Sequence, residues 1–218
     1  MEQPNQDGDS EVLVGLPPSR IEALADGIFA VAMTLLVLEL HVPELGPGAS
    51  DARLLSALES LVPKALSFAS GFVILGTLWI GHRYQFHYIR CSNRAILWIN
   101  LVFLLTISFL PFVVALIGTY GAMPVTCVLY GTTLVAAMTC LLVQWLYAAG
   151  RSRRLVRRTL PPEVFAGLRN RVLMGMTGYG GGLLLALVAP RASLLCYAAT
   201  PLLYLLPAGF DRHVRADR

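Results

Sequence analysis

Residues 20–40 read RIEALADGIFAVAMTLLVLEL. Nearly every position is apolar, yet Glu22 and Asp26 stand in the first third and Glu39 closes the stretch. The uncharged residues 27–38 are too few to cross a bilayer, which takes about 20 residues of helix. The stretch therefore spans a membrane only if Asp26 is buried against polar partners. Asp26 and Glu39 are thirteen residues apart, about 20 Å along a helix. One helix can thus hold one acid towards each interface.

Composition places the rest of the chain in the same class. Of 218 residues, 56% are hydrophobic and only 14% are charged, against roughly a quarter charged in soluble domains. The formal charge of +4 is carried by Arg, with Lys64 the lone lysine. These arginines lie between apolar runs without interleaved aromatics, which reports membrane orientation and argues against a nucleic-acid partner. Cys91, Cys127, Cys140 and Cys196 are scattered with no CxxC pair, so neither a disulfide nor a zinc framework is expected. His82 and His87, five apart with no acid nearby, make a poor metal site, and no cofactor is indicated. The first residues, MEQPNQDGDSEV, are polar and acidic, unlike the basic start of a signal peptide.

The apolar runs predict an all-α polytopic membrane protein with six transmembrane helices. The expected spans are about 20–42, 60–88, 94–118, 124–150, 168–189 and 192–210, a six-span domain over 19–210 flanked by tails at 1–18 and 211–218. Residues 95–150 carry no charge and are broken by GTYGAMP at 118–124, a turn signal. Orientation follows the arginines. RSRRLVRRTLPPEVFAGLRNR, residues 151–171, holds seven Arg against one Glu. Arg83, Arg90 and Arg94 lie between the second and third runs, and Arg212, Arg215 and Arg218 close the chain. The alternate connections are almost free of base: HVPELGPGASD has none and the last turn only Arg191. Six spans with both termini cytoplasmic satisfy all of these, in a multi-pass protein of a plasma membrane, prokaryotic inner membrane included.

Between Glu59 and Asp211 the only carboxylate is Glu163, in a connection. Every acid that can reach membrane depth is therefore on the first span. A carboxylate there costs ~2.5–3.5 kcal/mol on the lenient insertion scale, so it must face protein or water. Trp79, His82 and Asn100 lie at comparable depth on the second and third spans. Asp26 reads as a structural clamp, hydrogen-bonded with Arg20 or His82, or as a direct ion ligand. The clamp is favoured because one acid followed by twelve uncharged residues is a poor multi-ligand cation site. Gly27, Val31, Thr34 and Leu38 recur at i, i+4, i+7 and i+11, with Leu35 beside them, so they share one face. That stripe reads as helix packing or as the apolar lining of a pore, which gates by dewetting.

These residues carry a family resemblance. Arg20 to Asp26 and the following GIFAVAMTLLVLEL resemble the RxxxFSD signature of the bacterial relatives of the lysosomal transmembrane protein 175 potassium channel. LWIGHRYQFHYI resembles that family's W-x-x-H-x-x-x-F segment at Trp79, His82 and Phe86, and LWINLVFLLTISFLPF its third helix, with Asn100. The resemblance is close over roughly 17–118. Leu24 and Ala25 stand where the family has Phe and Ser, and Val31 where Ile commonly forms the narrowest ring. It implies a potassium-permeable homotetramer of six-span subunits in a lipid bilayer, with the first span lining the pore and no TVGYG filter. Val31, Leu35 and Leu38 would then form apolar rings and Thr34 a hydroxyl layer. Glu39 would sit at the outer mouth. Arg20, Asp26, Trp79, His82 and Asn100 would hold the pore helix. The glycine run GMTGYGGG at 175–182 lacks filter order and reads as close helix packing.

A secondary transporter is the rival outside the channel class, but spans 1–3 and 4–6 show no similarity of the kind internal repeats leave. A proton pathway through Asp26 and His82 is the closer rival. An enzyme lacks the reactive constellation it would need.

Overall fold

The computed structural model describes residues 17–48, 50–151, 155–156 and 160–205. The expected tail over 211–218, the end of the last expected span and nearly all of the 1–18 tail lie outside the described residues. Seven helices are named among those described. α1 (Pro18–Leu35) starts with proline in its first turn, where a missing N–H costs nothing, and tightens into a 3₁₀ turn over Leu36–Glu39. α2 (Asp51–Ser60) is capped by Ser50, whose hydroxyl accepts from the Arg53 N–H at 3.4 Å. α3 (Val62–Tyr88) and α4 (Arg94–Tyr120) are joined by a short turn in which Asn93 Oδ1 accepts from the Ile96 N–H at 3.1 Å. Gly121, at φ 61°, ends α4 inside the GTYGAMP turn. α5 (Pro124–Leu146) follows and winds into a π turn over Tyr147–Arg151. α6 (Pro162–Ala186) and α7 (Pro190–Ala199) close the described chain, α7 continuing as 3₁₀ over Thr200–Leu205.

Among the described residues, four stretches are long and apolar enough to cross a membrane: Pro18–Glu39, Val62–Tyr88, Arg94–Tyr120 and Pro124–Gly150. Two features depart from the expected six-span pattern. α2 is a separate helix where only a connection was expected, and none of its residues is buried. α6 mixes Glu163, Arg169 and Arg171 with glycines, and α7 is short; neither qualifies on length and hydropathy alone.

α4 packs against α1, α3 and α5, and its inward residues Phe103, Ile107, Leu110 and Val113 are fully buried. α6 and α7 form an antiparallel pair on the far side of α5. Gly175, Gly178 and Gly182, on one face of α6, receive Tyr204, Thr200 and Tyr197. The ends of the pair are tied reciprocally: the Tyr204 hydroxyl donates to the Arg171 carbonyl at 3.1 Å, and the Arg171 guanidinium donates to the Tyr204 carbonyl at 3.3 Å. The glycines are thus contact surfaces between helices, where a missing side chain permits close approach.

A second apolar cluster gathers at the arginine-rich end, with Ile21, Phe86, Ile96, Trp145, Leu155 and Val156 buried together. Leu155 and Val156 come from the middle of the arginine-rich connection. The Arg90 N–H donates to the Leu155 carbonyl at 2.7 Å, and Val156 pairs with Ile89 in an isolated antiparallel bridge. The connection is thereby returned to the α3–α4 turn.

Candidate functional site: the three faces of the first helix

α1 presents three faces. The first is the packing face: Ile21, Ala25, Phe29, Ala32 and Leu36 recur at three- and four-residue intervals and are buried against α3 and α4. Ala25 has no exposed surface.

The second face carries acid towards α3. Glu22 and Asp26 are one turn apart, as are Trp79 and Arg83 on α3, so the pairs meet as two rungs. The Trp79 indole N–H donates to Asp26 Oδ1 at 2.8 Å. Arg83 Nη1 donates to Glu22 Oε2 at 2.8 Å and to Asp26 Oδ2 at 3.5 Å, while its guanidinium lies 6.0 Å over the Trp79 ring. Asp26 meets polar partners but is not buried as expected, because the ladder lies on the open edge of the α1–α3 contact: the side chains of Arg83 and Asp26 keep 44% and 43% of their surface.

His82 and Asn100 belong to a separate, buried pair. His82 has no exposed surface, and its Nε2 donates to Asn100 Oδ1 at 2.8 Å between α3 and α4. The imidazole stacks on Phe103 at 5.3 Å and meets Phe86 at 4.5 Å and Phe29 of α1 at 6.5 Å. Its Nδ1 has no hydrogen-bond partner among the described residues. His82 therefore reaches α1 through the Phe29 ring and does not bond Asp26.

Exposed residues form the third face: Leu24, Gly27, Val31, Thr34, Leu35 and Leu38, with Val31 and Leu38 the most open of its large apolar side chains at 57% and 63%. A groove along this face is shared with Ser108 of α4. The Thr34 hydroxyl lies 3.0 Å from the Ala30 carbonyl and 2.9 Å from that of Val31, donating back to its own helix. Glu39 lies off this line. The 3₁₀ turn winds three residues per turn and brings Glu39 into a small crevice with Lys64, Ser67 and Gly118.

The sequence-derived anchor set is therefore divided three ways. Asp26 and Trp79 meet directly, and His82 pairs with Asn100. Arg20 is exposed on the third face, and among the described residues its side chain joins neither pair. The cation at Asp26 is Arg83, whose place in the sequence points only to topology. The signal was available in the matching i, i+4 spacing of Glu22–Asp26 and Trp79–Arg83.

A family model for the endosomal/lysosomal potassium channel TMEM175 matches residues 20–111, from the start of α1 through most of α4. A potassium channel of Chamaesiphon minutus is 33% identical over 150 residues, covering 67% of this chain and 73% of that protein. The chain belongs to the TMEM175 family. The crystal structure of a lysosomal potassium-selective TMEM175 homologue from Chamaesiphon minutus superposes with a TM-score of 0.74 at 27% identity, covering 87% of this chain and 96% of that one. The human endosomal/lysosomal proton channel TMEM175 is 30% identical over 202 residues, which is 86% of this chain but 37% of the human protein. This TMEM175 chain is thus a membrane-embedded cation channel, and its family and structural neighbours are channels, not enzymes. The matched region contains both polar pairs, the Arg83–Glu22 rung and the exposed stripe.

Proposed function

We propose that the chain is one subunit of a potassium-permeable homotetramer in which the third face of α1 lines the conduction path. The observation that carries this reading is the combination of faces on a single helix. α1 buries one side, ties a second to α3 through half-exposed polar groups, and leaves a continuous apolar stripe open along its length. Repeated four times, Val31, Leu35 and Leu38 make an apolar neck that passes ions only when wetted. Thr34 adds a layer of oxygens, and no TVGYG carbonyl filter is involved. The Asp26–Trp79 and His82–Asn100 pairs hold the pore helix in register, and Glu39 stands beside the outer mouth.

We infer six crossings with both termini cytoplasmic, in a cell membrane. α6 is 25 residues long, and α7 with its 3₁₀ extension brings Tyr204 back to the level of Arg171. That reach supports two further crossings that hydropathy alone does not register. A potassium permeant and no bound cofactor fit this architecture.

The test is single-channel recording of purified protein in planar bilayers under asymmetric KCl and NaCl. Val31→Asn and Leu35→Asn place amides in the neck and are expected to raise basal current per tetramer and weaken potassium/sodium discrimination. Val37→Asn, off the stripe, serves as the control. Currents from the two stripe variants no larger than the control's, in well-assembled protein, would refute the apolar neck. The name of the human relative motivates a second reading, proton conduction. A reversal potential that follows a pH gradient and ignores a potassium gradient would favour it.

A further inference from the structure

Arg20 is the unassigned charge on α1. It lies four, seven, eleven and eighteen residues before Leu24, Gly27, Val31 and Leu38, so it heads the same exposed stripe. The nearest acids in sequence, Glu22 and Asp26, occupy the α3-facing side, where Arg83 and Trp79 engage them. Among the described residues no carboxylate pairs with Arg20. Its backbone is fixed in the first turn, the N–H donating to the Pro17 carbonyl at 2.9 Å.

We propose that four copies of Arg20 form a cationic collar at the cytoplasmic mouth and make potassium flux asymmetric, a reading that rests on the pore lining proposed above. The positive ends of four α1 dipoles add to the same sign. The Glu22–Asp26–Arg83 ladder carries a compensating net negative charge, but it faces α3, so on α1 the collar is the charge nearest the proposed path. Four unit charges about 10 Å from the axis, in water at 0.1 M salt, lower potassium at that mouth by about threefold. At the opposite end of α1 Glu39 and Lys64 share one crevice, so among the described residues no like collar of one sign heads the stripe there. Ions entering from the cytoplasm are thus depleted and ions entering from outside are not.

The experiment uses excised inside-out patches, which fix orientation, with the full chain in symmetric 0.1 M KCl. Inward single-channel current is expected to exceed outward current by about two- to threefold. At 1 M KCl, where the Debye length falls to about 3 Å, the ratio should approach one; this arm needs no variant. Arg20→Gln should bring the ratio to about one at 0.1 M, and Arg20→Lys should keep it, because charge and not guanidinium geometry is responsible. A ratio of one for the unmodified chain at 0.1 M, an asymmetry that survives 1 M KCl, or equal behaviour of the Gln and Lys variants each overturns the collar. Val31→Asn is recorded alongside. If its current matches that of the unmodified chain, the pore lining itself is wrong; if it differs while Arg20→Gln does nothing, only the collar falls.

Discussion

Trp79, Arg83, His82 and Asn100 lie within a short depth of one another yet stabilise the subunit by different physics. The Arg83 rung is half in solvent, and exposed ion pairs contribute about 0–1 kcal/mol. The His82–Asn100 bond is buried, and removing one partner strands the other at ~1–3 kcal/mol. Arg83→Gln is therefore expected to leave the thermal midpoint of the detergent-solubilised assembly nearly unchanged, whereas Asn100→Ala lowers it by several degrees, read by fluorescence-detected size exclusion. Asp26→Asn tests the clamp directly. The Trp79 indole can still donate to the remaining carbonyl oxygen, so assembly should persist with little change in potassium/sodium ratio; a sharply altered ratio would make Asp26 an ion ligand instead. The meeting of Asp26 with Trp79 was legible because helical rise fixes depth. The separation of Arg20 from Asp26 was legible too, in azimuth: six residues leave the two about 120° apart around the helix, so they do not share a face. The choice of Arg83 over Arg20 follows from which helix packs alongside, and that is a property of the fold, not of spacing along α1.

At the scale of elements, proline and glycine marked the breaks well. Pro18, Pro63, Pro124, Pro162 and Pro190 each sit in the first turn of a helix, and Gly121 takes a positive φ where α4 ends. α2 escaped notice because Leu54, Leu55 and Leu58 make too short a stripe to register as a span while its polar residues resemble a connection. The glycines of α6 yield a sign-specific prediction. A methyl group at Gly178 would meet Thr200 at 2.7 Å, and one at Gly182 would strike the Tyr197 ring, whereas Gly180 and Gly181 have open space. Ala at 180 or 181 gains helix propensity, up to about 1 kcal/mol, and is expected to leave stability equal or higher. Gly178→Ala and Gly182→Ala should lower it and loosen α7, seen as faster proteolysis near Tyr204.

For the whole molecule, orientation is open to chemistry. Introduced cysteines within 44–51 should react with impermeant maleimide from outside intact cells, and those within 160–171 only after permeabilisation; external labelling near Arg169 would invert the topology. A four-fold arrangement leaves no trace in one chain, which is why the stripe reads as either packing or lining. The Thr34 hydroxyl has a further consequence. Its single proton is committed to carbonyls of its own helix, so towards the conduction path proposed above it offers only lone pairs. Between Gly27 and Leu38 the stripe contains no other polar side chain, and α-helical backbone N–H groups there are spent internally. If the stripe lines the path as proposed, a chloride ion shedding water there would find nothing to donate to it, whereas a potassium ion would find oxygens. Anion exclusion would then be a matter of hydrogen-bond polarity, achieved without a single fixed negative charge in the constriction.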